Sequence, residues 1–204
     1  MAYANWLTPS KVSGSGNDTV NVSANASNTG RNVRSTTMTF KAANCPDVTR
    51  TVNQAGKPEY VTIQSAASVV KAGTTTLTIS GTSNSTKLTF TLASGGTLDL
   101  TLPGSYTAAG VATNNGTAIT GDPGATQEYN FSIAFSNIAE NTTISEKTAQ
   151  LIVTDNAGND STCTITQAAG DPTLSVSPAS VDLPWDASTS ASFTVTSNTS
   201  WTVE

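Results

Sequence analysis

The sequence predicts an all-β protein made of tandem immunoglobulin-like antiparallel β-sandwich domains, and three observations carry that reading. Apolar residues recur at every second position in short runs, clusters of Gly, Asn, Asp and Pro separate the runs, and serine and threonine stand where helices would favour Leu, Glu and Lys. In chain order, Val20, Val22 and Ala24 alternate with Asn21 and Ser23, Leu77 and Ile79 alternate with threonines, and Leu88, Phe90 and Leu92 repeat the pattern. Leu98, Leu100 and Leu102 form a further run, and Tyr129, Phe131, Ile133 and Phe135 form the strongest. Each reads as a strand with one buried face. Residues 13–18, 95–96, 114–116, 121–124 and 156–160 carry the turn formers that connect antiparallel strands. Many short strands at this spacing predict a sandwich.

Composition bounds the chemistry. The chain has 204 residues, of which 11% are charged and 36% hydrophobic, with a net charge of -5. It has no histidine, so it lacks the commonest general base, the usual catalytic zinc ligand and every Ser-His or Cys-His pair. Nine scattered Lys and Arg make no basic stripe for phosphates, so nucleic-acid binding is not expected. No apolar run is long enough to cross a bilayer, and the opening residues Met1 to Trp6 are read as carrying no secretory signal. Cys45 and Cys163 fall in different predicted domains and read as free thiols, which suits folding in a reducing cytoplasm.

The chain repeats itself. At a constant offset, Gln54 falls on Gln167, Arg34 on Lys147, Met38 on Leu151, Phe40 on Val153 and Val52 on Ile165. Both segments then run into a small-residue turn and a proline, Pro58 and Pro172. A second register joins 65–85 with 177–200 and superposes Ser83-Asn84 on Ser197-Asn198. Three domains follow: 1–57 without its first strands, 58–171 complete with an insertion at about 91–121, and 172–204 as the first strands of a third. Trp6 and Trp201 align with each other and with Lys87 in the central copy. Two expectations stand for the partial copies: they belong to a longer array, or another chain supplies the missing edge by strand addition.

Four motifs occur in a diagnostic order: the opening strand Leu174 to Pro178, the Ser197-Asn198-x-x-Trp201 element, Asn28 followed by Arg34, and the closing Val52-x-Gln54-x-Gly56. In these residues the chain resembles BACON-type immunoglobulin-like domains of Bacteroidetes and of the virion proteins of crAss-like phages. The resemblance implies a non-enzymatic structural virion protein of a Bacteroidetes-infecting phage, a capsid-decoration or head-fibre protein. Such a protein docks on capsid or other virion proteins, forms a homo-oligomer and adheres to host or surface glycans. It also implies an alternative, a carbohydrate-binding or spacer module of a bacterial cell-surface or secreted glycan-handling protein. The two readings place the chain in the virion or at the bacterial surface.

The residues singled out for contact are Trp185, in the predicted turn Leu183-Pro-Trp-Asp186, and the insertion residues Leu98, Leu100, Tyr106, Asn114 and Asn115. Trp6 and Trp201 occupy the position where packing between sheets is expected. Asp155-Asn-Ala-Gly-Asn-Asp160 has oxygens at a spacing compatible with calcium, yet a hairpin turn between two strands explains every residue. The sequons at Asn17, Asn130 and Asn141 follow from composition. No carboxylate pair marks a glycosidase, Asp99 being read as an outward strand residue. No catalytic residue, cofactor or metal is expected.

Overall fold

A computed structural model of the chain describes residues 3–186 and 188–204. The fold is all-β, as expected, and among the described residues the only helical element is a 3-10 turn at Pro123–Ala125. The N-terminal unit holds two hairpins: β1 (Leu7–Pro9) pairs with β2 (Val22–Ala24), and β3 (Arg34–Phe40) with β4 (Val48–Gln54).

The central unit is a two-sheet sandwich. Its strands are β5 (Val61–Ile63), β6 (Ala66–Val69), β7 (Thr74–Ser83), β8 (Leu88–Leu92), β9 (Ser105–Ala108), β10 (Val111–Asn114), β11 (Tyr129–Ile138), β12 (Lys147–Asp155) and β13 (Asp160–Gln167). One sheet runs in the order β10-β9-β11-β7-β5 and the other β6-β13-β12-β8. The chain changes sheet between β5 and β6, and β6 joins β13 as the sandwich's parallel pair. In the C-terminal unit β14 (Leu174–Ser177) pairs with β15 (Thr194–Ser197). Among the described residues no strand pairing joins one unit to another.

The inward positions of the period-2 runs build the central core. Ile79, Leu88, Leu151, Val153, Cys163 and Ile165 are completely buried, and the rings of Phe131 and Phe90 meet edge-to-face across the sheets at 5.7 Å between centroids. The repeat read from the sequence is a repeat of pairing as well. Arg34 faces Gln54 in one hairpin and Lys147 faces Gln167 in the other. The two buried asparagines that precede these hairpins also match. Asn28 donates through Nδ2 to the carbonyls of Asn32 at 2.8 Å and Ala55 at 3.2 Å, and Asn141 to those of Ser145 at 2.8 Å and Ala168 at 3.0 Å. Both amides are consumed in tying a loop to a strand end, so the sequon at Asn141 is a structural asparagine.

One expected strand is absent. Residues 98–102 form no ladder, because both Thr97 and Leu98 donate their N–H to the single carbonyl of Thr148, at 2.8 and 2.9 Å. The segment leads from β8 in one sheet to β9 in the other, and alternate leucines turn inward as they would in a strand. Asp99 is therefore an exposed loop residue rather than a strand residue. The hairpin inside the insertion lies instead at β9–β10, turning at Ala109 (φ 50) and Gly110 (φ 81). These positive values are those of the turn that matches strand twist.

Candidate functional site

The insertion of the central unit proves to be a lining and a seal. Leu98 is 7% exposed and Tyr106 4%, and both belong to the core cluster, with Leu100 and Leu102 packed against it. The Tyr106 ring lies 4.9 Å from that of Phe90, and its hydroxyl accepts the Leu88 N–H at 3.3 Å. Burial raises the Tyr106 hydroxyl pKa above its ordinary value. The central unit has Lys87 where the outer units have Trp6 and Trp201, and the insertion brings Tyr106, Leu98 and Ile119 into its core. As contact residues, Leu98 and Tyr106 are corrected to core residues, since partners cannot reach side chains so enclosed.

Asn115 performs the seal. Its Oδ1 accepts the Phe90 N–H at 2.8 Å and its Nδ2 donates to the Phe90 carbonyl at 2.9 Å, so one side-chain amide imitates a neighbouring strand along the outer edge of β8. The Gly116 N–H continues the pairing to the Leu88 carbonyl at 3.0 Å, and Ile119 to that of Thr86 at 2.9 Å. Asn114 is exposed at the end of β10, with its carbonyl taken by Thr117. Of the five insertion residues, Asn114 presents its side chain to solvent most openly.

Trp185 lies apart from these, 97% exposed in the turn beside Asp186. Hydrogen bonds from Ser188 hold the Asp186 carboxyl below its usual pKa range. The other two tryptophans are less enclosed than core packing would require. Trp6 is half-buried with the Arg34 guanidinium 4.8 Å from its ring, and Trp201 remains half-exposed among Leu174, Val176, Phe193 and Val203.

The Asp155 turn is a closed hydrogen-bond ring. Asp155 Oδ1 accepts the N–H of Ala157 at 2.9 Å and of Asn159 at 2.8 Å, while Oδ2 accepts Asn159 Nδ2 at 2.8 Å. The carboxylate oxygens that a cation would use hold the hairpin instead. Among the described residues no cluster of three or more His, Cys, Asp or Glu has metal-binding geometry.

One concavity was not foreseen from the sequence. It lies between the two hairpins of the N-terminal unit, a cleft of about 490 Å³ whose lining includes Tyr3, Lys11, Asp18, Met38 and Phe40. Met38 is buried at its floor, and the 11–18 loop forms its rim. Lys11 Nζ donates to both Asp18 oxygens, at 2.7 and 2.8 Å, and this contact lowers the Asp18 pKa from its ordinary value. Apolar and aromatic walls with the charged groups of Lys11, Asp18 and Lys41 beside them can take up a ligand or side chain that offers both an apolar face and polar groups. The sequence signal was available: a lysine and an aspartate bracket the Ser13-Gly-Ser-Gly16 run in a segment otherwise poor in charge.

Comparison with known families places a match on this same segment. Residues 1–55 match the BACON family model, described as "Putative binding domain, N-terminal". The resemblance read from the motifs therefore holds for the unit that carries the cleft, and residues 56–204 lie outside the match. No curated protein matches the chain.

Proposed function

We propose that the chain is a non-enzymatic binding and spacer protein, in which the N-terminal unit makes contact and the closed central sandwich, bounded near residues 58 and 171, sets its distance from the rest of the assembly. The observation that carries this reading is the 490 Å³ cleft lying within the segment that matches a binding-domain family. The central unit fits the spacer role because its insertion is spent on lining the core and sealing an edge.

The finer setting we propose is the particle of a Bacteroidetes-infecting phage, as a capsid-decoration or head-fibre protein docking on capsid or other virion proteins. Its support is the motif resemblance together with two free cysteines, which suit assembly in a host cytoplasm. The half-exposed apolar row of the C-terminal unit supports a homo-oligomer. The second reading, adhesion to surface glycans from the virion or from a bacterial surface, is favoured by the open Trp185 ring and by the aromatic walls of the cleft.

A glycan array probed with the full chain and with Phe40→Ala and Trp185→Ala separates the two. Specific signals lost in one variant establish glycan adhesion. A blank array, with the chain present in gradient-purified particles by mass spectrometry, supports docking on virion proteins. Absence from both defeats the proposal.

A further inference from the structure

Both linkers of the chain are held by closely matching sets of hydrogen bonds, which neither the folding of the separate units nor the binding reading requires. At the first joint, Asn84 is completely buried. Its Nδ2 points at three carbonyls, Thr29 of the N-terminal unit at 3.2 Å and Lys57 and Pro58 of the linker at 3.1 and 3.2 Å, and its Oδ1 accepts the Tyr60 N–H at 3.1 Å. Ser83 Oγ donates to the Tyr60 carbonyl at 2.7 Å and accepts the Ser85 N–H at 2.9 Å.

At the second joint all of these bonds but the one to the Lys57 carbonyl return. Asn198 Nδ2 donates to the carbonyls of Thr142 at 3.0 Å and Asp171 at 2.8 Å, and Oδ1 accepts the Thr173 N–H at 2.8 Å. Ser197 Oγ donates to the Thr173 carbonyl at 2.7 Å and accepts the Thr199 N–H at 3.1 Å. Thr29, Pro58 and Tyr60 have become Thr142, Asp171 and Thr173. The linker side chains differ, Lys-Pro against Gly-Asp-Pro, but the acceptors are backbone carbonyls, so the joint is indifferent to what the linker carries. The loop offering the Thr29 or Thr142 carbonyl is itself fixed from within its own unit by Asn28 or Asn141.

We propose that the Ser-Asn pair of the central and of the C-terminal unit is a docking element that recognises the loop and linker of the preceding unit, so that successive units stack in one repeated geometry instead of swinging on a flexible tether. The first joint carries further contacts in the same direction. The N–H groups of Arg31 and Asn32 donate to the carbonyls of Gly124 and Ala125, both at 2.9 Å. Arg31 Nε donates to the Asn84 carbonyl at 2.6 Å, and its guanidinium pairs with Asp122. Gly30 makes this approach feasible: a Cβ there would stand 2.3 Å from the Thr126 carbonyl carbon. The geometry holds whatever the cleft binds.

Distance measurement between nitroxide labels tests the joint. Cys45 is exposed in the N-terminal unit and Cys163 is fully buried, so a second label is placed on the exposed β9 position by Thr107→Cys. The parent protein should give one narrow distance distribution. Asn84→Asp keeps the acceptor for Tyr60 but removes both donors, and should broaden or split the distribution. Gly30→Ala should do the same, because the φ of Gly30 lies outside the left-handed region and the atoms nearest the added methyl are backbone atoms of the next unit. Near-UV circular dichroism and tryptophan fluorescence should still report folded units in Gly30→Ala, which separates undocking from unfolding. A broad distribution in the parent, or a narrow one in Gly30→Ala, overturns the proposal, and a folded Asn84→Asp with a narrow distribution overturns the role given to Asn84.

Discussion

Replacing Asn115 by alanine tests whether the insertion's main work is edge closure. The substitution deletes two hydrogen bonds, to the Phe90 N–H at 2.8 Å and to its carbonyl at 2.9 Å, on a strand whose other neighbour is β12. At about 1 kcal/mol of net stability each, the loss is about 2 kcal/mol. With a urea slope of about 2 kcal/mol/M for a domain of this size, the midpoint should fall by roughly 1 M with the slope unchanged. Asn115→Asp should be worse, because it keeps an acceptor for the Phe90 N–H but sets a carboxylate against the Phe90 carbonyl. The central unit has no tryptophan, so near-UV circular dichroism of Tyr106 and Tyr129 follows its unfolding while tryptophan fluorescence follows the outer units. The reopened edge should also raise self-association, read by sedimentation. A midpoint shift below about 0.3 M, or an aspartate variant as stable as the parent, would refute the seal.

Three further outcomes follow from the same contacts. Asp155→Ala should destabilise the central unit by about 2–3 kcal/mol in the same urea assay, since a 4% exposed carboxylate there holds two N–H groups and one amide. A thiol reagent should modify Cys45 at once and Cys163 only on unfolding, because burial both encloses the Cys163 thiol and raises its pKa. Burial first, and then the Glu128 carboxylate, push the Tyr60 hydroxyl up to about 12. A group whose folded pKa is raised stabilises the fold below its unfolded pKa of about 10, and the contribution disappears as pH rises through the folded value. Alkaline unfolding should therefore begin between about pH 10 and 12, with Tyr60 ionising late in a 295 nm titration and earlier in Glu128→Gln.

The sequence made the all-β class legible because a half-buried strand writes its burial as a period of two. The Gln54 and Gln167 registers were legible for the same reason, and the two hairpins pair in the same way. The leucines at 98, 100 and 102 misled because a loop lying flat on a core also buries alternate residues. The β9–β10 turn was hidden by Ala109, a residue seldom found at positive φ. Asn84 and Asn115 act through amide-to-backbone bonds across distant parts of the chain, and such contacts leave no periodic trace. The Ser-Asn motif was visible as a repeat, but its role emerged only when the preceding unit's carbonyls stood around it. The cleft needed two hairpins in space, of which the sequence announced only the charged ends of one loop.

Small-angle scattering of the intact chain tests most directly the claim that a binding unit is carried in fixed geometry on a closed spacer. Fixed joints predict a bell-shaped normalised Kratky curve and one maximum dimension that does not change between low and high salt, since the bonds common to both joints run from side-chain amides to backbone carbonyls rather than between charges. A curve that rises to a plateau, or a maximum dimension that lengthens with conditions while the units stay folded, would describe tethered beads and contradict it.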